Sequence, residues 1–312
     1  MMWYLAHTSM IQFNLFSFLF LDVTSLCIVA LLFIVMVAIN AVRWQLLNNV
    51  QSINLGFSKI FISTYLGTAF NNLLPGSVGG DFVRAYYLFG KVPDRKSAIV
   101  LSILFDRITG LLGIFLTILL VGITHIGLFG NQHSLNLFFI SCALICLFVV
   151  AALIISFVLP ARIGISEWLE SRYKGKVWVD SLLSFLEAIR IYRGAPKIII
   201  LCLGASILIQ IMMVWIVILI AHMMHFPQIS WMNYAIAIAV TQVANLVPIT
   251  PGGIGVGEAA FSKTIILLNP HFYEPFATIF IAYRFIGAMV YLPGVLISML
   301  NITFKNLLPV QR

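Results

Sequence analysis

The residues of this chain that could do chemistry are charged and polar groups set inside long apolar runs. Asp81 and Arg84 follow the stretch Asn72-Leu73-Leu74-Pro75-Gly76-Ser77-Val78-Gly79-Gly80, and Glu258 and Lys263 follow Asn245-Leu246-Val247-Pro248-Ile249-Thr250-Pro251-Gly252-Gly253. Asp106-Arg107 and Arg284 stand deeper, within segments otherwise free of charge. Charges among apolar residues are costly, so they are either paired or functional. The prolines stop a helix and the glycines let a ligand reach the backbone. A helix restarting there offers free amides and a positive dipole end, which bind phosphate or carboxylate. The candidate anion site is therefore Asn72, Gly79, Gly80, Asp81, Arg84, Asp106, Arg107, Asn245, Gly252, Gly253, Glu258 and Arg284. Neighbouring helical residues do not face each other, so Asp106 and Arg107 are expected to have separate partners. One arrangement sets Arg107 and Arg284 toward a lipid phosphate, balanced by Asp81, Asp106 or Glu258. The alternative is that the breaks only let helices cross closely and the charges form a structural ion-pair network.

Other polar groups carry less. Asn71, Asn72 and Asn245 fit as caps of broken helices, and Tyr86, Tyr87, Tyr283 and Tyr291 as anchors at a membrane interface. His222-x-x-His225 has a metal-compatible spacing, but no carboxylate or cysteine stands beside it, so no metal or other cofactor is expected.

The elements that must position these groups follow from a repeat. At a constant offset of 173 positions, Thr68, Asn72, Leu73, Pro75, Gly79 and Gly80 match Thr241, Asn245, Leu246, Pro248, Gly252 and Gly253, six identities in thirteen columns. Composition supplies the setting. Hydrophobic residues make up 62% of the 312 positions and charged ones 9%, with a mean hydropathy of +1.07, against about 25% charge in soluble domains. An all-α polytopic membrane protein follows, with room for about six to eight spans of ~20 residues. The net charge of +8 reflects basic cytoplasmic loops, and no nucleic-acid partner is expected. Cys27, Cys142, Cys146 and Cys202 lie in apolar runs and read as small core hydrophobes. No removable signal peptide is expected at the start.

Residues Met1–Leu21 read as an interfacial stretch or a weak first helix. Val23–Val42 is the first firm span, ending at the Arg43-Trp44 anchor. Basic residues flank both ends of 57–89, so this unit is expected to be a re-entrant hairpin broken at Pro75–Gly80, tolerated where protein or water surrounds it. Ala98–Gly122 and Leu135–Leu159 follow as spans. Arg162–Lys197, with seven basic and four acidic residues, reads as amphipathic helices on the cytoplasmic surface or as a solvated loop. Ile198–Ala221 spans outward, 233–268 forms the second hairpin, and Phe276–Ile302 returns to a cytoplasmic C-terminus. The expected organisation is thus one membrane domain over 1–312: a first half 1–160, a connector 161–197 and a second half 198–312. Because the second hairpin enters from the opposite side, the repeat is expected to be inverted, with substrate near the midplane at the broken helices.

The segments NNLLPGSVGGDFVRAYYL and NLVPITPGGIGVGEAAF resemble the two signature segments of the lysylphosphatidylglycerol synthase transmembrane-region family, also called flippase-like domain proteins. The resemblance extends from about Val23 to Phe304 and includes Asp106-Arg107, where family members often carry Glu-Arg, and the span of Arg284. It implies a multi-pass protein of the bacterial inner membrane that moves a lipid, or helps to move it, between leaflets. The lysyl-transferring chemistry of fused relatives belongs to a separate soluble domain that has no counterpart in these 312 residues.

Three functions remain open from sequence. The first is a translocator of an anionic phospholipid or polyprenyl-phosphate-linked lipid, not driven by ATP because no G-x-x-x-x-G-K-[ST] is present. The second is a membrane glycosyltransferase-type enzyme, for which only Asp22 and Glu274 are external carboxylates. The third is an accessory protein that meets a lipid-modifying enzyme through Arg162–Lys197. The sequence carries no signal for oligomeric state.

Overall fold

The structure, a computed structural model, describes residues 12–73, 79–124, 191–246, 250 and 253–299, with part of the stretch between 140 and 151. The break residues 74–78, 247–249, 251 and 252 therefore lie outside the described residues. So do residues 1–11, most of the expected span Leu135–Leu159, and most of the 161–197 connector.

Among the described residues all regular structure is helical. The principal helices are α1 (Val23–Val50), α2 (Phe57–Leu73), α3 (Gly79–Phe89), α4 (Lys96–Thr124), α5 (Pro196–Met223), α6 (Trp231–Leu246), α7 (Val256–Leu268) and α8 (Ala277–Met299). Four described stretches are long and apolar enough to cross a membrane: Val23–Val50, Pro93–Gly122, Pro196–Met223 and Ala277–Leu296. At 1.5 Å per residue, the 28-residue α1 is about 42 Å long, more than the ~30 Å hydrocarbon core.

Local chemistry sets the helix ends. Asp22 caps α1, its Oδ1 accepting from Ser25 N at 3.0 Å. Pro196 opens α5 at a position where its missing N–H costs nothing. Within α1, the buried Val29, Phe33, Val37, Ala41, Trp44 and Leu47 recur every three or four residues. The opposite face, with Leu31 and Val42, is exposed and equally apolar. Phe33 and Val37 join Val217, Ile220, Phe261 and Phe280 in one hydrophobic core that unites both halves of the chain.

α2 packs along α3, α6 along α7, and α5 against α1 and α4. α8 lies on α2, where the Tyr65 hydroxyl donates to the Val290 carbonyl at 2.6 Å. This contact is beside Pro293, whose ring removes a helical hydrogen bond.

The helix bounds extend the repeat. α5 begins and ends 173 positions after α1. Asp81 directly follows Gly80 whereas Glu258 stands five positions after Gly253, so four extra residues precede the second carboxylate. The order long helix, paired short helices, long helix thus occurs twice.

Candidate functional site

The first polar cluster is built by α1, α3 and α4. Asp106 on α4 is 2% exposed. It accepts from Arg43 Nε at 2.8 Å and from Arg84 Nη1 at 2.9 Å. Arg43 also donates to Ser206 Oγ of α5 at 2.7 Å and to Asn40 Oδ1 at 3.0 Å. Asp81, in the first turn of α3, pairs with Arg107 and lies 3.6 Å from Arg84 Nη1. Asp106 and Arg107, adjacent on one helix, thus serve different partners. The Arg84 guanidinium lies 4.0 Å from the centroid of the Trp44 ring, a cation–π contact. Trp44 is itself fixed by a bond from Nε1 to Ser102 Oγ.

Close helix packing makes this arrangement possible. A Cβ on Gly80 would collide with the Gly67 carbonyl, and one on Gly67 would lie 2.5 Å from Arg84 Cγ. Small residues at this crossing let α2 and α3 approach closely enough to bury Arg84. The Gly80 amide, expected to be open to an anion, donates instead to Asn71 Oδ1 at 2.7 Å. Asn71 supplies this cap from the last turn of α2, because an unpaired amide buried at the break would be costly.

The second cluster sits at the other break. Glu258, 1% exposed, pairs with Arg284 Nε at 3.0 Å and accepts from Gly255 N at 2.6 Å. Its side chain thereby caps α7. Arg284 Nη2 donates to the Gly253 carbonyl at 3.1 Å and reaches Asn245 Oδ1 at 3.5 Å. Gly253 has φ +70°, a conformation glycine adopts without strain. A Cβ on Gly257 would sit 2.7 Å from Arg284 Nη2. Glu258 and Arg284 each lie 177 positions after Asp81 and Arg107. Both halves therefore join a carboxylate from the first turn of the post-break helix to an arginine Nε on the following long helix.

The candidate residues thus divide into two sets. Asp81, Arg84, Asp106 and Arg107 meet with Gly80 in the first cluster, and Gly79 opens the same helix. Asn245, Gly253, Glu258 and Arg284 meet in the second. Asn72 lies in α2 with its side chain outside the described residues, as is all of Gly252. Lys263 is exposed and away from Glu258's partner set.

Sequence reasoning missed Arg43. Read as an interfacial anchor at the end of a span, it is 7% exposed and lies seven residues inside α1. The available signal was Asn40, a second polar residue one turn earlier on the same face.

An apolar cleft of about 440 Å³ opens between α4, α5 and α6, lined by Thr117, Leu120, Val121, Ile211, Trp215 and Trp231. Thr117 lies ten residues along α4 from Arg107, about 15 Å at helical rise. Of the two carboxylates expected to be external, Asp22 is committed to the α1 cap. Hydrogen bonds from the side chain and backbone of Ser25 hold its carboxyl below the usual value.

The site can neutralise a negative charge among apolar helices, using guanidiniums that are positioned by carboxylates and an indole. No curated protein and no solved structure matches this chain. Residues 9–294 match the family described as Lysylphosphatidylglycerol synthase TM region, and the chain is a multi-pass membrane protein belonging to that family.

Proposed function

We propose that this protein is a lipid translocator. It moves an anionic phospholipid or a polyprenyl-phosphate-linked lipid between leaflets and is not itself an enzyme. The observation that carries this reading is the cluster of Arg43, Arg84 and Arg107 with Asp81 and Asp106, held by helices of otherwise apolar character. Charges in such a place are expensive and mark substrate paths in transport proteins. The phosphate lies at the guanidiniums of the two clusters, and a hydrocarbon chain follows α4 toward the apolar cleft. The two repeat units are inverted relative to each other in the bacterial inner membrane. They open the site alternately to each leaflet, driven by a gradient or by the lipid's own concentration difference. The glycosyltransferase reading is weakened because Asp22 is spent as a helix cap. A lipid-modifying enzyme, where one participates, meets the surface segment 162–197.

Purified protein in liposomes containing fluorescent anionic lipids tests the proposal through the loss of label from the outer leaflet. Headgroup-dependent translocation is expected, and it is lost in Arg107→Ala and Arg284→Ala proteins that still accumulate in the membrane. Full transport by both variants would refute it. Variants that fail to accumulate would favour a purely structural ion-pair network.

A further inference from the structure

We infer that Arg84 grips the oxyanion of the lipid headgroup, taking two of its oxygens side-on through Nε and Nη2, with the Thr64 hydroxyl as a further donor. The inference rests on the translocator reading. It narrows the substrate to a lipid whose headgroup offers two oxygens of one phosphate or carboxylate to a single guanidinium.

Arg84 differs from its neighbour Arg43 in how its donors are used. Arg43 directs Nε to Asp106, Nη1 to Ser206 and Nη2 to Asn40. Arg84 directs Nη1 to Asp106, while its Nε and Nη2 are buried and have no hydrogen-bond partner among the described residues. The side chain is 7% exposed. Nε and Nη2 lie on one edge of the planar guanidinium, and that edge matches two oxygens of a phosphate or carboxylate. Donors buried without a partner are costly, so a pair of them on one arginine points to a ligand. A second unpartnered group lies on the facing helix. Thr64 of α2 is fully buried, and its Oγ1 also lacks a hydrogen-bond partner among the described residues. Helical spacing puts Thr64 on the face of α2 that carries Gly67 and Asn71. That face meets α3 at Arg84: a Cβ on Gly67 would lie 2.5 Å from Arg84 Cγ, and Asn71 accepts from the Gly80 amide.

The repeat singles out the same residues. The Asp81–Arg107 pair has its counterpart in Glu258–Arg284, 177 positions later. At that offset Arg84 corresponds to Phe261 and Asp106 to Tyr283. At the offset of 173, Arg43 corresponds to Ile216 and Thr64 to Ala237. Phe261, Ile216 and Ala237 are buried in the apolar core. The carboxylate–arginine pair is therefore common to both halves, whereas the donors around Arg84 have no counterpart at the matching positions. A feature that the repeat itself does not require is the one to assign to the ligand. Because the donors are covered, the headgroup reaches them when α3 parts from α2, at the crossing where Gly67 meets Gly80.

The test compares three probes with the same dihexanoyl tails: phosphatidylglycerol, the hemisuccinate of the diacylglycerol, and the uncharged diacylglycerol itself. Binding to the purified protein in a nonionic detergent is read by calorimetry, beside unfolding in the same detergent and movement of fluorescent phosphatidylglycerol in liposomes. At least one of the two oxyanion probes is expected to bind about tenfold or more tightly than the uncharged lipid. The hemisuccinate separates the two sources: tighter binding than phosphatidylglycerol names a carboxylate, weaker binding a phosphate. Arg84→Lys keeps a cation for Asp106 but loses the paired edge, and should weaken binding of the preferred probe about tenfold or more. Thr64→Val keeps the shape and gives up no hydrogen bond, so it should unfold like wild type yet bind about threefold or more weakly. Where Arg84→Lys is itself less stable, Thr64→Val decides. Wild-type binding and movement by both variants, or equal binding of charged and uncharged probes, overturns the site and leaves the translocator reading standing. Binding that depends on Arg84 and Thr64, with no movement by the wild type, keeps the site and overturns the translocator reading. Neither binding nor movement overturns both.

Discussion

Asp106→Asn is the most informative single perturbation, because it removes a charge and changes almost no volume. Asp106 accepts two charge-assisted hydrogen bonds, from Arg43 and Arg84, while 2% exposed. Such bonds contribute about 1.5–3 kcal/mol each, and breaking a buried pair by removing one partner costs about 3–5 kcal/mol. Partial relief is available. Arg43 retains Ser206 and Asn40, and Arg84 retains the Trp44 face and its neighbour Asp81. The expected loss is therefore about 3 kcal/mol, the lower end of that range. The assay is unfolding of purified protein in a mild detergent, followed by accessibility of the buried Cys202, which packs with Phe105 beside this cluster. A double-mutant cycle with Arg43→Gln separates the pair from its surroundings. If the charge pairing is the cause, the double variant should be less destabilised than the two single losses added together. An Asp106→Asn protein within about 0.5 kcal/mol of wild type, the range of an ordinary surface change, would refute the claim that Asp106 organises the cluster.

Three further outcomes follow from the geometry. Gly80→Ala drives a methyl into the Gly67 carbonyl and should cost about 1–3 kcal/mol, as overpacking does. Gly56→Ala, where nothing lies within 4 Å, should be neutral in the same unfolding measurement. Glu258→Gln should destabilise less than Asp106→Asn, because Arg284 is 22% exposed and can reach solvent or headgroups whereas Arg43 is 9% exposed. Equal losses would mean that exposure does not set the cost of these pairs.

Polytopic helical character was legible because apolar length is a property of composition, whereas the break residues 74–78, 247–249, 251 and 252 lie outside the described residues. Partners were harder to read. In a soluble helix the buried face stands out against polar residues, but on α1 the exposed Leu31 and Val42 are as apolar as the buried Phe33 and Val37. Hydropathy therefore gives no direction for Arg43, and its neighbour Trp44 makes it resemble an interfacial anchor. The capping role expected of Asn71 is met by its bond from the Gly80 amide, since a short amide side chain beside a helix break has few other uses.

The four-residue insertion had a different effect. It kept the identities from Thr68 to Gly80 in register at 173 positions while shifting Asp81 and Arg107 against Glu258 and Arg284 to 177. A constant-offset comparison loses the repeat where the charged residues begin. The paired carboxylate–arginine geometry recovers it, because the repeat is kept in three dimensions by the ion pair at the start of each post-break helix. The two halves then differ in one respect that bears on function. Among the described residues the second pair is Glu258 with Arg284, whereas the first is joined to Arg84, Arg43 and a second aspartate. A substitution in the first cluster therefore disturbs α1, α3 and α4 together, whereas one at the Glu258–Arg284 pair disturbs the packing of α7 on α8.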